Sequence, residues 1–355
     1  MRKLTLYSTF LLVAILLAAC AAPPKPLDAG QDALKSGDTA KAIEQLEKAV
    51  AEEPGSAQAH ILLGKAYLAG GKTAEAQREL AAGLSLDPKN ADAQYALGDL
   101  QFDAGQVADA AIAYGQAMAL DASGTAGRES KIKQAADTAF ANGKQALSAN
   151  DFQTAAKLLD AARALQPDNS EAHFLAGNAY TSLNQFDAAL AAYSTTLKLA
   201  PDKAGAYTNI GVIYYQTNRL DDAIAQFERA LAIDPKDAET QYLLGAAYTQ
   251  QQKLTEAEQA FNTALQLKPD LAPAYVGLGN IYLLNKDFEK AVTALEKANS
   301  LQPNSPEALF ALGRAYAGVG RKADATRILN QFLQMNPPDP FRSQAQQLLQ
   351  QLGAQ

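Results

Sequence analysis

One thiol, two imidazoles and a scatter of carboxylates are the groups in this chain that could do chemistry. Cys20 is the only cysteine in 355 residues, so no disulfide can form within the chain. Its thiol is left as a nucleophile, a metal ligand or a point of covalent attachment. His60 and His173 are the only histidines. Metal centres and nucleophilic triads need several such groups converging on one place. Carboxylate pairs such as Asp221-Asp222 stand at inter-helix turns, where acidic side chains cap free N–H groups. The glycines come singly rather than clustered after a strand, so no loop cradles a phosphate. Lys and Arg number 31 against 38 Asp and Glu, without basic runs, which makes nucleic acid a poor partner. No catalytic residue, metal, cofactor or small-molecule substrate is expected.

The regular placing of glycine is the signal that organises the chain. Gly30, Gly64, Gly98, Gly143, Gly177, Gly211, Gly245, Gly279 and Gly313 follow one another at 34 residues, except for 45 between Gly98 and Gly143. Ala42, Ala76, Ala110, Ala155, Ala189, Ala223, Ala257, Ala291 and Ala325 keep the same register. So do Pro54, Pro88, Pro167, Pro201, Pro235, Pro269, Pro303 and Pro337. Each period reads as two helices. In the sixth, Tyr207, Ile210, Gly211 and Tyr214 share one helical face, and Asn218-Arg219 interrupts it. Ile224, Phe227, Ala230 and Leu231 then mark a second helix, which Asp234-Pro235 ends because the residue before proline is pushed from helical geometry.

This pattern of small, aromatic and proline positions resembles the tetratricopeptide repeat, over Leu27 to Pro337. The resemblance implies an all-α, right-handed α-solenoid of about nine helix-turn-helix repeats with a C-terminal capping helix. Each repeat is too thin to bury its own apolar face, and stacking supplies the core. Both histidines then fall in one packing slot, held by Tyr207, Tyr275 and Leu309 in sister repeats.

In chain order, residues 1–19 read as a signal peptide: Arg2 and Lys3 precede the apolar run Leu4 to Leu17, and small residues follow. Leu17-Ala18-Ala19-Cys20 resembles the bacterial lipobox, which implies cleavage before Cys20 and a covalent lipid on its thiol and amino terminus. An uncleaved anchor helix is the other reading of this stretch. Loss of Arg2 and Lys3 takes the formal net charge from −7 to −9. Residues 20–26 form the lipidated cysteine and a proline-rich tether. Residues 27–122 hold repeats one to three, and Ala33 and Gln101 replace the usual tyrosine in the first and third. Residues 123–135 carry the extra length, read either as a hinge or as a longer connection in a continuous stack; Arg128 onward could lengthen the next helix by about three turns. Residues 136–337 hold repeats four to nine. Residues 338–355 form the capping helix, with Asp339 and Pro340 at its start and Phe341, Ala345, Leu348, Leu349 and Leu352 as its apolar stripe.

Function should then lie on the wall lined by the first helices. In the family the second, fifth, ninth and twelfth positions of the first helix face inward. Here those slots supply Tyr95, Phe102, Phe140, Phe174, Asn178, Tyr215, Tyr242, Asn280, Phe310 and Arg314. Aromatic rings give large contact area at low entropic cost, which suits capture of a peptide. The fifth-position residues also pack between neighbouring helices, so part of their area belongs to the core. The lysine of the co-chaperone clamp and the asparagine ladder of sugar-transferase repeats are missing; only Asn209 matches the ladder. The expectation is a membrane-held scaffold at the bacterial cell envelope, on the outer membrane or the outer face of the cell membrane. It would bind segments of other envelope proteins, as pilotins of pilus assembly and adaptors of envelope enzymes do. A structural spacer in a pilus, secretion or envelope-assembly machine is the alternative, and an envelope enzyme is the reading furthest from these residues. Changing Cys20→Ser should leave an unprocessed or unlipidated protein. Intact mass of the mature chain checks this, and retention of residues 1–19 without lipid in the unaltered protein would rule the lipobox out.

Overall fold

The structure, a computed structural model, describes residues 24–353. The signal segment and Cys20 lie outside the described residues. The described residues are helical throughout, in nineteen α-helices taken here in chain order. They are α1 (Pro26–Lys35) with α2 (Thr39–Glu52), α3 (Ala57–Ala69) with α4 (Thr73–Leu86), and α5 (Ala91–Asp103) with α6 (Val107–Leu120). After a 3-10 turn at Ala122–Thr125 come α7 (Glu129–Ser148) with α8 (Phe152–Leu165), and α9 (Ser170–Ser182) with α10 (Phe186–Leu199). Then come α11 (Ala204–Gln216) with α12 (Leu220–Ile233), and α13 (Ala238–Gln250) with α14 (Leu254–Leu267). The last are α15 (Ala272–Leu284) with α16 (Phe288–Leu301), α17 (Pro306–Gly318) with α18 (Lys322–Gln334), and α19 (Phe341–Gln351). Packing divides the chain into two compact units, the first ending at Ala172 and the second starting at His173. The extra residues 123–135 therefore lie inside the first unit.

Local sequence fixes where these helices begin and turn. Asp38, Ser56, Asn90, Asp151, Asp237 and Ser305 each accept a backbone N–H from the first turn of the helix they precede. Such a cap is worth about 1 kcal/mol. Between the two helices of a repeat one residue takes a left-handed backbone. Gly37, Gly71, Gly105 and Gly320 do so without steric cost, and Asn150, Asn184, Asn218, Gln252 and Lys286 do so in the same place of other repeats.

The glycine of each first helix meets a large side chain of the second. A methyl group built on Gly98, Gly177, Gly211 or Gly245 would lie 2.4–2.8 Å from the ring of Tyr114, Tyr193, Phe227 or Phe261. On Gly30, Gly64, Gly143, Gly279 and Gly313 it would meet Leu46, Leu80, Leu159, Leu295 and Leu329 just as closely. The second helix then packs against the first helix of the next repeat, as α2 on α3, α12 on α13 and α16 on α17. The resulting clusters draw on adjacent repeats; one joins Ala223, Phe227 and Leu231 to Leu244 and Ala247.

The insertion changes this pattern within the first unit. Helix α7 has 20 residues where α5 has 13, a gain of about two turns against the three expected. Helix α6 packs on α7, as elsewhere, and also directly on α8. Small residues make that contact: a methyl on Gly115 would sit 3.4 Å from Ala164 Cβ and 3.5 Å from Ala161 Cα. At the C-terminus α19 covers α18 with Ala345 and Leu349, and Asp339 accepts from the Ser343 hydroxyl at 2.7 Å. Phe341, expected within the apolar stripe, is instead 48% exposed.

The Gly177 contact is the least forgiving, because the Tyr193 ring behind it is fully buried and its hydroxyl is held by Asn178. Overpacking costs about 1–3 kcal/mol and alanine returns up to about 1 kcal/mol of helix propensity. Gly177→Ala should therefore lower the unfolding free energy by a net of about 1–2 kcal/mol, read as a lower denaturant midpoint at unchanged slope.

Candidate functional site

Successive first helices touch one another within each unit, as α5 with α7 and α13 with α15, and so form a wall in each. The ten predicted wall residues fall into separate groups. In the first unit Tyr95 is 2% exposed, its hydroxyl donates to Asp121 O at 2.8 Å, and its ring lies 6.5 Å from that of Tyr114. Burial, and after it the Asp121 charge, push the Tyr95 phenol up. Tyr95 is thus a packing residue and not free wall. Phe102 is half-buried with the Lys131 ammonium 5.5 Å over its ring. Phe140 is half-buried under Lys144 at 5.5 Å.

In the second unit the Phe174 ring packs on Tyr193 at 5.9 Å, with Lys203 4.8 Å above it. Beside it lies a polar knot. Asn178 Oδ1 accepts from the Tyr193 hydroxyl and from Asn209 Nδ2, both at 2.8 Å, and Thr181 Oγ1 lies 3.2 Å from that hydroxyl. The asparagine named in the sequence is therefore engaged with the structure rather than held out to a ligand. Tyr215 and Tyr242 are half-buried; burial first, and Tyr215 after it, raise the Tyr242 phenol, which reflects their proximity.

The last three predicted residues meet at one place. Asn280, Phe310 and Arg314 line a cavity of about 380 Å³ together with Glu307, Phe332, Pro337, Pro338 and Phe341. Phe310 is 9% exposed and forms the floor; Phe332 lies 5.2 Å from it and Phe341 stands edge-on at 5.7 Å. The Arg314 guanidinium sits 5.8 Å over the Phe310 ring. An aromatic floor with a cation and an amide at its rim can take an apolar side chain and hold the polar backbone or carboxylate next to it. Phe332 and the 337–341 segment were not among the residues picked from sequence. Phe341 reads from sequence as part of the apolar stripe of the last helix, so nothing local marks it as a site residue. A shallower depression along Tyr275, Tyr282, Glu289, Lys290 and Lys297 contains none of the predicted wall residues.

The two histidines do packing work. His60 Nδ1 lies 2.7 Å from Glu79 Oε2 and Nε2 lies 3.0 Å from Pro54 O, while His173 is 7% exposed. Among the described residues no three His, Cys, Asp or Glu side chains are placed to hold a metal ion. Nor is any described helix long and apolar enough to cross a membrane.

Stacked helix-turn-helix pairs with a side-chain-lined wall define the class as a repeat scaffold. Tetratricopeptide-repeat models match residues 61–126, 140–204, 176–238 and 214–272, and others of the same repeat match 33–85, 248–297 and 278–350. The chain belongs to the tetratricopeptide-repeat family, whose members are scaffolds for protein–protein interaction and generally not enzymes. The matched ranges leave out residues 127–139, the place of the insertion. No curated protein matches the chain. Among solved structures it is similar to PilW, a widely conserved type IV pilus biogenesis factor, at 20% identity and a TM-score of 0.53, covering 61% of this chain and 99% of that one. It is similar to a MamA protein at 27% identity and a TM-score of 0.43, over 47% of this chain and 92% of that one. YrrB, a TPR protein with an unusual peptide-binding site, is 20% identical at a TM-score of 0.46, over 54% of this chain and 99% of that one.

One set of contacts ties repeats together through titratable groups. Tyr67, Tyr248, Tyr282 and Tyr316 donate to Glu47, Glu228, Glu258 and Glu296 of the preceding repeats at 2.6–2.9 Å. Burial, then the carboxylate each donates to, pushes these phenols from 10 up to about 12. A folded pKa above the unfolded one means stability is fully present below pH 10 and is lost as pH rises through about 12. The denaturant midpoint should hold to pH 10 and fall between 10 and 12, and Glu228→Gln, by lowering the Tyr248 value, should make that fall smaller relative to the same variant's midpoint below pH 10.

Proposed function

We propose that the protein is an exported, lipid-anchored scaffold that captures segments of other cell-envelope proteins on its first-helix walls. The cavity of Phe310, Phe332 and Phe341 carries this reading. It is large enough for a big apolar side chain, it lies on the wall of the last repeat, and Phe341 leaves an aromatic edge in solvent beside Arg314. Binding energy at such sites concentrates in aromatic and arginine anchors. The apolar run ending in Leu17-Ala18-Ala19-Cys20 supports export and anchoring, and Ala21 rather than an aspartate after Cys20 favours the outer membrane where two membranes exist. Several acyl chains on one residue would make that anchoring durable.

A photo-crosslinking amino acid at position 341 or 314 in living cells should give a discrete adduct with an envelope protein, whereas one at Lys198, in the last turn of a second helix, should not. Phe341→Ser with Arg314→Ala should reduce crosslinking from position 280 at least about tenfold, the effect of losing about 1.4 kcal/mol. Equal adducts from 341 and 198, or an undiminished yield in the double variant, would defeat the wall reading. A full-length chain that fractionates as soluble after export would defeat the anchored reading.

A further inference from the structure

The residues that lengthen the fourth period lie along α5 as a strap. Asp121 O accepts the Tyr95 hydroxyl at 2.8 Å. Gly124 rests on the Tyr95 ring so closely that a methyl there would fall inside the ring's contact distance. Arg128 Nε donates to Asp99 Oδ2 at 2.7 Å, Arg128 Nη1 donates to Gly124 O at 2.7 Å, and its guanidinium lies 5.2 Å over Tyr95. Lys131 Nζ donates to Asp103 Oδ1 at 2.6 Å and stands over Phe102. The contacts advance in step, from 121 on Tyr95 to 131 on Asp103.

The face they cover has a distinct chemistry. Tyr95, Asp99, Phe102 and Asp103 recur three and four apart on α5, giving two carboxylates interleaved with two rings. Carboxylates and ring faces both attract cations. In the second unit the corresponding place over Phe174 is taken by Gly205, at the start of the next first helix. Here the strap takes it and brings two cations three residues apart. The stack does not pass through the strap, because α6 packs on both α7 and α8. The two strap ion pairs are also open to solvent, with 29% and 33% of the cationic side chains exposed. Such pairs are worth about 0–1 kcal/mol each.

We propose that α5 carries a recognition site for a basic protein segment, with two cationic side chains one helical turn apart, and that residues 121–131 fill it in cis as a displaceable internal ligand. This rests on the reading that first-helix walls capture protein segments, but it uses a part of the chain separate from the Phe310 cavity. A tethered occupant competes at an effective concentration in the millimolar range, so an external segment binds weakly until the strap is loosened.

The test uses a fluorescein-labelled peptide of residues 121–135 and the full mature chain, read by anisotropy. Arg128→Ser with Lys131→Ser should bind the peptide at least about tenfold more tightly than the unaltered protein. Adding Asp99→Asn should abolish that gain, and a peptide carrying glutamates at both cationic positions should not bind. A double variant of unchanged helical signal that binds no better than the unaltered protein, or an acidic peptide that binds equally, overturns the proposal and leaves the strap as a structural splice. Should the double variant not fold, hydrogen exchange of the unaltered protein decides. Saturating peptide should speed exchange at residues 122–128, and unchanged protection overturns the proposal. Failure here leaves the crosslinks from positions 341 and 314 intact, whereas failure of the wall reading removes those instead.

Discussion

Every repeat is held together by the approach of one first-helix backbone to one large second-helix side chain. Gly211 gives up its side chain so that the Phe227 ring can lie against the helix, and Phe227 is fully buried as a result. The contact brings two backbones together and fills the space beside them in one step, and it recurs sixteen residues after each of the nine glycines, from Gly30 with Leu46 to Gly313 with Leu329. Where the partner is leucine the side chain can give at its end; where it is Tyr114 or Tyr193 the hydroxyl is pinned by Asp99 or Asn178. The amide oxygen of Asn178 and one of the two carboxylate oxygens of Asp99 are thereby spent on structure, which is one reason the wall is less open than its residue types suggest; the other Asp99 oxygen faces Arg128.

The remaining design follows from repeating that pair. Each second helix leaves an apolar stripe that only the next first helix can cover, so the core is a succession of small clusters rather than one large one. The tyrosines that lean back on the preceding repeat, with Lys72, Lys253, Lys290 or Arg321 over their rings, add a polar tie at the same interfaces. A left-handed turn residue joins the two helices of each pair, whether it is Gly71, Asn218 or Lys286. With helices so tied, the first-helix side chains differ in chemistry from repeat to repeat: carboxylates and rings on α5, amides and a phenylalanine on α9, an aromatic cavity at α17.

The fold was legible because a 34-residue period constrains sequence at many positions at once. The glycine, alanine and proline registers alone imply paired helices, and the turn at Asn218 was readable from local chemistry. The last helix, expected to be capped by Asp339 with Pro340 as its first residue, instead begins at Phe341 with Pro340 in the N-cap position. Phe341 was not: an apolar residue on a helical stripe reads as buried, yet its ring stands at the lip of the Phe310 cavity with nearly half its surface in water. The candidate site was legible only as a set of slots. Asn280, Phe310 and Arg314 do converge, but Tyr95 and Asn178 are claimed by their own neighbours.

By itself the sequence determined the repeat, its helices, its turns and the acidic, cysteine-poor character of the chain, because each depends on residues close together or in register. Tertiary structure alone decided which wall positions are free. Whether Tyr95 faces solvent depends on where residues 121–131 travel, and they run over its ring while α6 packs directly on α8. Whether Asn178 can reach a ligand depends on Tyr193 and Asn209, fifteen and thirty-one residues away. Side-chain competition of this kind acts through space between elements, and no period in the sequence encodes it.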